Sequence, residues 1–178
     1  MNHPDHVRLL RPGISTPGGL WADLGSGTGA FTLALAELVG PSGMIYSVDK
    51  DPRALNQQTQ DLRSRFPGVP LQTLTADFTR PLDLPPLDGI VMANSLHFVP
   101  NQEKAAVLGR IKNNLKPAGR LIVVEYNVDS GNVWVPYPFT FAGWQTIARQ
   151  AGFTNTILLA THPSHFLSGF YSAMSWSD

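Results

Sequence analysis

The sequence predicts an α/β fold, in which a mostly parallel sheet has helices on both faces and an antiparallel hairpin at its C-terminal edge. Three observations predict it. Short apolar runs rich in β-branched residues alternate with segments of helical periodicity. A glycine-rich stretch joins the first apolar run to the first helical segment. The C-terminal segment, residues 153–176, breaks the alternation and resembles two strands around a turn. Strand–helix alternation is typical of parallel sheets with crossover helices on both faces.

The predicted strands, in chain order, lie at about 20–24, 44–48, 70–75, 88–93 and 120–125. The predicted helices lie at about 29–40, 51–66, 101–115 and 139–152. The second helix has the clearest start, because Asp51 suits the N-cap and Pro52 the first helical position. Asn101 is the predicted N-cap of the third helix, "KPAG" the turn that ends it, and Gly152 the end of the fourth. The proline-rich stretch 78–87 is predicted to be a loop.

Length and composition favour one neutral globular domain. The chain has 178 residues, enough for a single domain over 1–178 with a substantial core. Lys plus Arg number 13, as do Asp plus Glu, so the net charge is zero. A neutral chain has no bulk field to attract nucleic acid, and it self-associates more easily, for example as a homodimer.

The absence of cysteine excludes disulfides and Cys-bound zinc. No signal-peptide pattern or membrane-length apolar run is present, which predicts a cytoplasmic protein without a membrane span.

The stretch "WADLGSGTGAF", residues 21–31, fits two ligand-binding templates. Gly25, Gly27 and Ala30 satisfy the dinucleotide pattern G-x-G-x-x-G/A, whereas Gly25, Gly27 and Gly29 satisfy G-x-G-x-G. The helix that follows would present its N-terminal amides to negative charge. Taken alone, the stretch therefore leaves open a nicotinamide dinucleotide, a nucleotide phosphate and a sulfonium nucleoside.

Polar residues follow the ends of the other predicted strands, where open α/β sheets bind ligands. The first strand delivers Asp23 together with the glycines. The second ends at Asp49, whose carboxylate could accept hydrogen bonds from both hydroxyls of a ribose. The third is followed by Asp77 and Phe78, which could accept from an exocyclic amine and pack against a purine. The fourth and fifth deliver "ANSLHF" and "VVEYN".

Taken together, these motifs resemble those of the class I S-adenosylmethionine-dependent methyltransferases. The matching segments, in order, are "DLGSGTG" (23–29), "SVDKDP" (47–52), "TADF" (75–78), "DGIVMANSLHF" (88–98) and "LKPAGRLIVVEY" (115–126), with "AGF" (151–153) before the terminal hairpin. The resemblance covers nearly the whole chain past residue 20 and is strongest to the small-molecule branch that includes the ubiquinone/menaquinone-type enzymes. It implies a Rossmann-like sheet of seven strands. The terminal hairpin and "KPAG" disfavour a nicotinamide enzyme.

The resemblance implies that the chain binds S-adenosyl-L-methionine and releases S-adenosyl-L-homocysteine. It places the methionine moiety at Asp23 and the loop residues Gly25, Ser26, Gly27 and Gly29, with the backbone carbonyl of Asn94 at the methionine ammonium. It places the ribose at Asp49. It places the adenine at Lys50, Asp77 and the Phe78 amide. Glycine is expected at these positions because a Cβ there would collide with the cofactor.

Methyl transfer to a small organic acceptor is an in-line displacement, for which positioning can supply on the order of 7–11 kcal/mol. A general base is needed only when the nucleophile arrives protonated. The candidates are His97, Glu125 and Tyr126, and His97 is preferred because imidazole titrates near neutrality. The alternative is that His97 and Glu125 have structural roles.

Other segments have two interpretations each. The segment 126–144 could form the wall of an acceptor pocket, or its rings could cap the core; these rings include Trp134, Tyr137, Phe139 and Trp144. The N-terminal segment 1–19 could fold over the site as a lid or stay frayed. His162 and His165 flank a turn without nearby carboxylates, so no metal site is expected. Two further functions stay open, a cofactor-binding subunit without catalysis and a nicotinamide-binding oxidoreductase.

Overall fold

The computed structural model describes residues 1–164 and 166–177. Within them lies a seven-stranded sheet with the order β3-β2-β1-β4-β5-β7-β6. Strands β1 to β7 are Gly19–Leu24, Gly43–Asp49, Leu71–Thr75, Leu87–Ala93, Leu115–Tyr126, Asn155–Pro163 and Gly169–Trp176. The first five strands pair in parallel, whereas β7 runs antiparallel to both β5 and β6. The predicted fold class, including the C-terminal hairpin, is therefore confirmed.

Helices cover both faces of this sheet. Helices α1 to α5 are His3–Leu10, Ala30–Val39, Pro52–Arg65, Asn101–Lys112 and Phe141–Gln150. One apolar cluster joins α1 and α2 to the sheet and includes Leu62 of α3. A second cluster joins α4 and α5 to the opposite face. In the part of the chain that is described, no helix combines the length and the apolar character that crossing a membrane requires.

The helix ends follow the predicted capping at some positions and depart from it at others. Asp51 caps α3, since its side chain accepts from the Arg53 N–H at 2.9 Å. Gly152 follows α5 with a φ of 90°, as predicted for a C-terminal glycine. The expectation for α4 is wrong, because Pro100 is its N-cap and Asn101 is its first residue. The Asn101 side chain instead accepts from Lys104 Nζ at 2.6 Å.

The "KPAG" stretch is not a turn before the fifth strand but a distorted beginning of that strand. Leu87 pairs with Leu115 and Gly89 with Arg120, so the register shifts between the two pairs. Ala118 adopts a left-handed φ of 57° within this irregular stretch. Lys116 anchors it, because its Nζ donates to both carboxylate oxygens of Asp88 at 2.9 Å. The predicted loop at 78–87 contains no helix, and β4 begins only at its last residue.

Helix α1 lies in the segment that the sequence left as either a lid or a frayed end. Asn2 and Asp5 form a capping box, which fixes the first turn of the helix. Leu9 and Leu10 are fully buried in the cluster that α1 shares with α2. The helix is therefore part of the core. Its eight residues carry too short an apolar pattern for periodicity to predict.

Candidate binding cleft at the strand ends

Two adjoining cavities open at the carboxyl ends of β1, β2 and β4. The larger has a volume of about 500 Å³, and its lining includes Asp49, Lys50, Asp77 and Phe78. The smaller has a volume of about 260 Å³, and its lining includes Asp23, Ser26 and, from α1, His6. Both cavities are lined by Gly25, Gly27 and Asn94. The cavities therefore meet at the glycine loop, residues 25–29, and form one elongated cleft.

The three loop glycines all adopt left-handed φ values, but the space around them differs. The φ values are 75°, 53° and 89° at Gly25, Gly27 and Gly29. A Cβ on Gly25 would lie 2.5 Å from the Cβ of Ser95, and one on Gly29 would lie 2.7 Å from the Cβ of Gln58. A Cβ on Gly27 would meet nothing within 4 Å. At Gly25 and Gly29 the protein itself fills the space that a side chain would need, so glycine is required there even without a ligand.

Gln58 of α3 holds the glycine loop in place, and sequence reasoning missed it. Its Nε2 donates to Ser26 Oγ at 2.9 Å and to the Gly27 carbonyl at 3.0 Å. The Ser47 hydroxyl donates to Ser26 Oγ at 2.7 Å. Gln58 is only 1% exposed. The available signal was its spacing from the buried Leu55 and Leu62, which places a polar side chain within the apolar stripe of α3.

Asp49 connects the end of β2 to the same loop. Its Oδ2 accepts from the Gly27 N–H at 2.7 Å, and its Oδ1 accepts from the Asp51 N–H at 2.9 Å. A carboxylate oxygen has two lone pairs, so each oxygen keeps one acceptor site after these bonds. Asp49 can therefore fix the loop and still accept hydrogen bonds from a ligand in the larger cavity.

Asp77 and Phe78 lie on the far side of that cavity. Asp77 Oδ1 accepts from the Thr79 N–H at 2.9 Å and from the Thr79 hydroxyl at 2.7 Å. The hydroxyl bond has the larger effect and the N–H bond the smaller one, and together they hold the pKa of Asp77 below its usual value. The side chain is therefore an anion near neutral pH. Phe78 approaches the glycine loop, since its Cε1 would lie 3.1 Å from a Cβ on Gly25. An anionic acceptor and an aromatic ring therefore face the cavity together.

Asp23 and Asn94 give the smaller cavity acceptor atoms. Asp23 is 1% exposed and accepts from the Thr32 hydroxyl at 2.6 Å. Burial raises the pKa of Asp23 to about 7; the Thr32 bond opposes the shift and the charge of Asp49 adds to it. Asn94 has a φ of 52° and donates its N–H to the Val124 carbonyl at 2.9 Å. Its Oδ1 is buried and finds no partner in the described chain.

His97 and Glu125 form a buried pair below the cleft. His97 Nδ1 lies 2.6 Å from Glu125 Oε2, and the side chains are 3% and 1% exposed. Glu125 Oε1 also accepts from the N–H groups of Leu96 and His97 at 3.0 and 3.2 Å. Neither His97 nor Glu125 is among the described residues that line the two cavities. The pair therefore fixes the short 3₁₀ turn Leu96–Phe98 that follows β4.

Tyr126 ends β5 within a row of aromatic rings. Its ring centroid lies 4.1 Å from that of Phe170, 6.0 Å from that of Phe166 and 6.4 Å from that of His97. Burial, followed by the charge of Glu125, raises the pKa of Tyr126 above its ordinary value. The phenol therefore stays protonated at neutral pH.

The aromatic segment before α5 divides into exposed and buried rings. Trp134 and Tyr137 are 71% and 40% exposed, whereas Phe139 is 5% exposed and Trp144 is fully buried. Phe139 and Trp144 belong to the cluster beneath the sheet, so they cap the core and the acceptor-pocket interpretation is wrong for them. The buried Lys104 of α4 anchors this segment, because its Nζ donates to the Tyr137 carbonyl at 2.8 Å.

The histidine pair of the C-terminal hairpin is only partly described. Arg8 Nη2 lies 2.6 Å from His162 Nδ1, which connects α1 to β6. His165 lies outside the described residues. Across residues 1–164 and 166–177, no group of three His, Cys, Asp or Glu side chains is arranged to hold a metal ion.

Known proteins resemble the chain in sequence and in fold. A family model described as a methyltransferase domain matches residues 18–155. The carboxy-S-adenosyl-L-methionine synthase of Shewanella frigidimarina is 29% identical over 111 residues, which cover 62% of this chain and 45% of that protein. The chain spans about half the length of the curated relatives it matches.

Solved structures share the fold at low sequence identity. Magnesium protoporphyrin IX methyltransferase from Synechocystis, solved with bound S-adenosylmethionine, is 19% identical with a TM-score of 0.71, covering 98% of this chain and 78% of its own. Human N-acetylserotonin methyltransferase, solved in complex with S-adenosylmethionine, is 21% identical with a TM-score of 0.72, covering 99% and 52%. These likenesses support the fold alone, whereas the family model covers well over half of the chain. The chain therefore belongs to the class I S-adenosylmethionine-dependent methyltransferase family.

Proposed function

We propose that this protein, as a single methyltransferase domain over residues 1–178, transfers a methyl group from S-adenosyl-L-methionine to a small organic acceptor. The observation that carries the proposal is the cleft at the strand ends. Its larger cavity offers the acidic side chains of Asp49 and Asp77 beside an aromatic ring, which suits a nucleoside. Its smaller cavity offers the carboxyl of Asp23 and, from Asn94, the backbone carbonyl predicted for this role, which suit an ammonium group.

The residues present fit the cofactor. Asp49 keeps an acceptor site on each oxygen for the ribose hydroxyls. Asp77 and Phe78, with Lys50, form the adenine side of the cleft, and Asp23 and Asn94 form the methionine side. Gly27 is the loop glycine whose missing side chain leaves open space toward a ligand. Gln58 belongs with these residues because it fixes the loop backbone that they surround.

The protein's contribution to the chemistry is mainly positioning. When bound, the cofactor supplies a methyl group activated by a sulfonium, so the leaving group needs no protonation by the protein. The loop, Asp49 and Asn94 hold the nucleoside and amino-acid ends apart in fixed places. Orienting two reactants in this way can supply on the order of 7–11 kcal/mol.

A general base is required only for an acceptor that arrives protonated, and the candidate is His97. Its ring is 3% exposed and lines neither cavity, so it can act only on an acceptor that reaches below the cleft; otherwise its role is to hold the turn after β4. Glu125 orients its ring through Nδ1, which leaves Nε2 for proton transfer. Glu125 itself is a positioning residue, since its oxygens already accept from Leu96 and His97. Tyr126, protonated at neutral pH, would act as a hydrogen-bond donor to the acceptor. A glutamine in place of His97 should lower kcat for protonated acceptors and leave cofactor affinity unchanged.

The acceptor is proposed to be small and apolar or aromatic. Phe98 lines the larger cavity and is 59% exposed. Exposed rings at a cleft favour flat, apolar ligands. Four further expectations stay predictions: a likeness to ubiquinone/menaquinone-type enzymes, the absence of nucleic-acid substrates, a homodimer and a cytoplasmic location.

The test is turnover with a panel of phenols, quinols, amines and thiols. The purified protein is incubated with S-adenosyl-L-methionine, and mass spectrometry follows S-adenosyl-L-homocysteine and the acceptor. The proposal predicts that S-adenosyl-L-homocysteine is released only with one class of acceptor, and that this acceptor becomes one methyl group heavier. Cofactor binding without turnover on any acceptor would favour a non-catalytic partner subunit. In a separate incubation with a carboxylic acid added as carboxyl donor, carboxy-S-adenosyl-L-methionine as the product would instead favour the chemistry named for the Shewanella relative.

A further inference from the structure

The smaller cavity has two chemically different sides. One side is lined by Asp23 and Asn94, whose oxygen atoms can accept hydrogen bonds. The other side is formed by the start of α2 and by His6 of α1. The described lining contains neither lysine nor arginine. A ligand group that fits between these sides must accept hydrogen bonds at one end and donate them at the other.

The start of α2 provides donors. Its N-cap is Gly29, and no side chain caps the helix. The N–H groups of a first helical turn have no partner within the helix, and they favour negative charge. Ala30 and Phe31, the first two residues of α2, both line the cavity.

His6 lies against this helix start. Its ring is half-buried, its centroid lies 4.5 Å from that of Phe31, and no hydrogen bond joins its ring nitrogens to another described residue. Burial lowers the pKa of His6, so near neutral pH its ring is neutral and keeps one N–H donor. The position is fixed, because Leu9 and Leu10 of the same helix are fully buried. His6 is thus a rigidly held donor without a protein partner.

We propose that His6 binds the carboxylate of the cofactor's amino-acid group, together with the first-turn amides of α2. Asp23 and Asn94 on the opposite side take the ammonium, so the cavity complements a zwitterionic amino acid. The inference rests on the proposed function and adds α1 to the binding site. Helix α1 is then a fixed wall of the cofactor cleft, in place of a lid that opens and closes.

The test compares two ligands that differ in the amino-acid group. Calorimetric titration at neutral pH measures S-adenosyl-L-homocysteine, which has the group, and 5′-methylthioadenosine, which lacks it. His6→Ala should weaken binding of the homocysteine nucleoside by about tenfold, the scale of one hydrogen bond to a charged group. Binding of methylthioadenosine should change less than about twofold. His6→Gln, which keeps a donor, should recover part of the loss and serves as the second variant if alanine weakens α1.

His3→Ala is the matched control, because His3 lies on the same helix and contacts Glu37 at 2.8 Å instead of lining the smaller cavity. It should leave the ratio of the two affinities unchanged. An equal loss of both ligands in His6→Ala, or no loss of either, would overturn the assignment while the proposed function stands. If the wild-type protein binds neither nucleoside, the proposed function fails and the assignment fails with it.

Discussion

His97 Nδ1 lies 2.6 Å from Glu125 Oε2, and neither side chain is more than 3% exposed. Because Glu125 also accepts from two backbone N–H groups of the turn after β4, this carboxylate connects β5 to that turn. Removing it leaves three buried polar groups without a partner. Glu125→Ala should therefore lower the free energy of unfolding by about 3–5 kcal/mol, measured by urea denaturation.

The exposed Glu103 of α4 gives the control for that substitution. Glu103→Ala should change the free energy of unfolding by less than about 0.5 kcal/mol. Equal stabilities of the two variants would mean that the buried pair does not hold the turn.

Asp23 should make cofactor binding depend on pH. Its pKa of about 7 leaves the carboxyl largely protonated at lower pH, and a bound ammonium favours the carboxylate. Binding of S-adenosyl-L-homocysteine should therefore be roughly tenfold tighter at pH 8 than at pH 6, and the Asp23→Asn variant should lose this contribution. Calorimetry in buffers of different ionisation enthalpy measures the proton released. A pH-independent affinity in the wild type would contradict the placement of the ammonium beside Asp23.

The same carboxyl should affect the stability of the unliganded protein. Its folded pKa of about 7 lies above the ordinary aspartate value of 3.8, so between these values the folded state binds more protons than the unfolded state. The stabilising contribution is complete below about pH 4 and is lost as the pH rises to about 7. Urea denaturation across this range should show a decline in the wild type that is smaller in Asp23→Asn.

The loop glycines should respond differently to alanine. Gly27→Ala adds only the strain of a left-handed residue, about 1–2 kcal/mol, because its Cβ meets open space. Gly25→Ala adds a collision with Ser95 and should destabilise the fold by clearly more. Gly27→Ala should instead lose cofactor affinity in excess of its stability loss. Thermal unfolding with and without S-adenosyl-L-homocysteine separates the two effects, and identical behaviour of the variants would contradict the geometry.

Lys104 should anchor the aromatic segment before α5. Its buried ammonium donates to the carbonyls of Val99 and Tyr137 and to Asn101 Oδ1 at 2.6–2.8 Å. Lys104→Met leaves these acceptors unpaired and should cost about 2 kcal/mol of unfolding free energy. It should also speed proteolysis within residues 127–138. The control is Lys112→Met on the same helix, which removes one hydrogen bond, that to the Gly152 carbonyl; equal proteolysis rates would contradict the anchoring role.

The sequence predicted the parts of the site that depend on strand ends. Asp49 and Asp77 could be placed because a parallel sheet brings the ends of its strands to one edge. Gln58 and His6 could not, because their roles depend on how α3 and α1 pack against a loop distant in the chain. The rings of the aromatic segment show the same limit. Trp134 and Trp144 have the same side chain, yet packing of α5 buries one and leaves the other exposed.

The most direct test of the account is calorimetric titration of S-adenosyl-L-homocysteine into the wild type, Asp49→Ala and Asp83→Ala. Asp83 is exposed and serves as the matched control, which should bind like the wild type. Asp49→Ala should bind more weakly by about 2 kcal/mol, roughly 30-fold, because it loses the ribose acceptors and the Gly27 contact. The account is contradicted if the wild type shows no binding at hundred-micromolar concentrations, or if Asp49→Ala binds as tightly as the control.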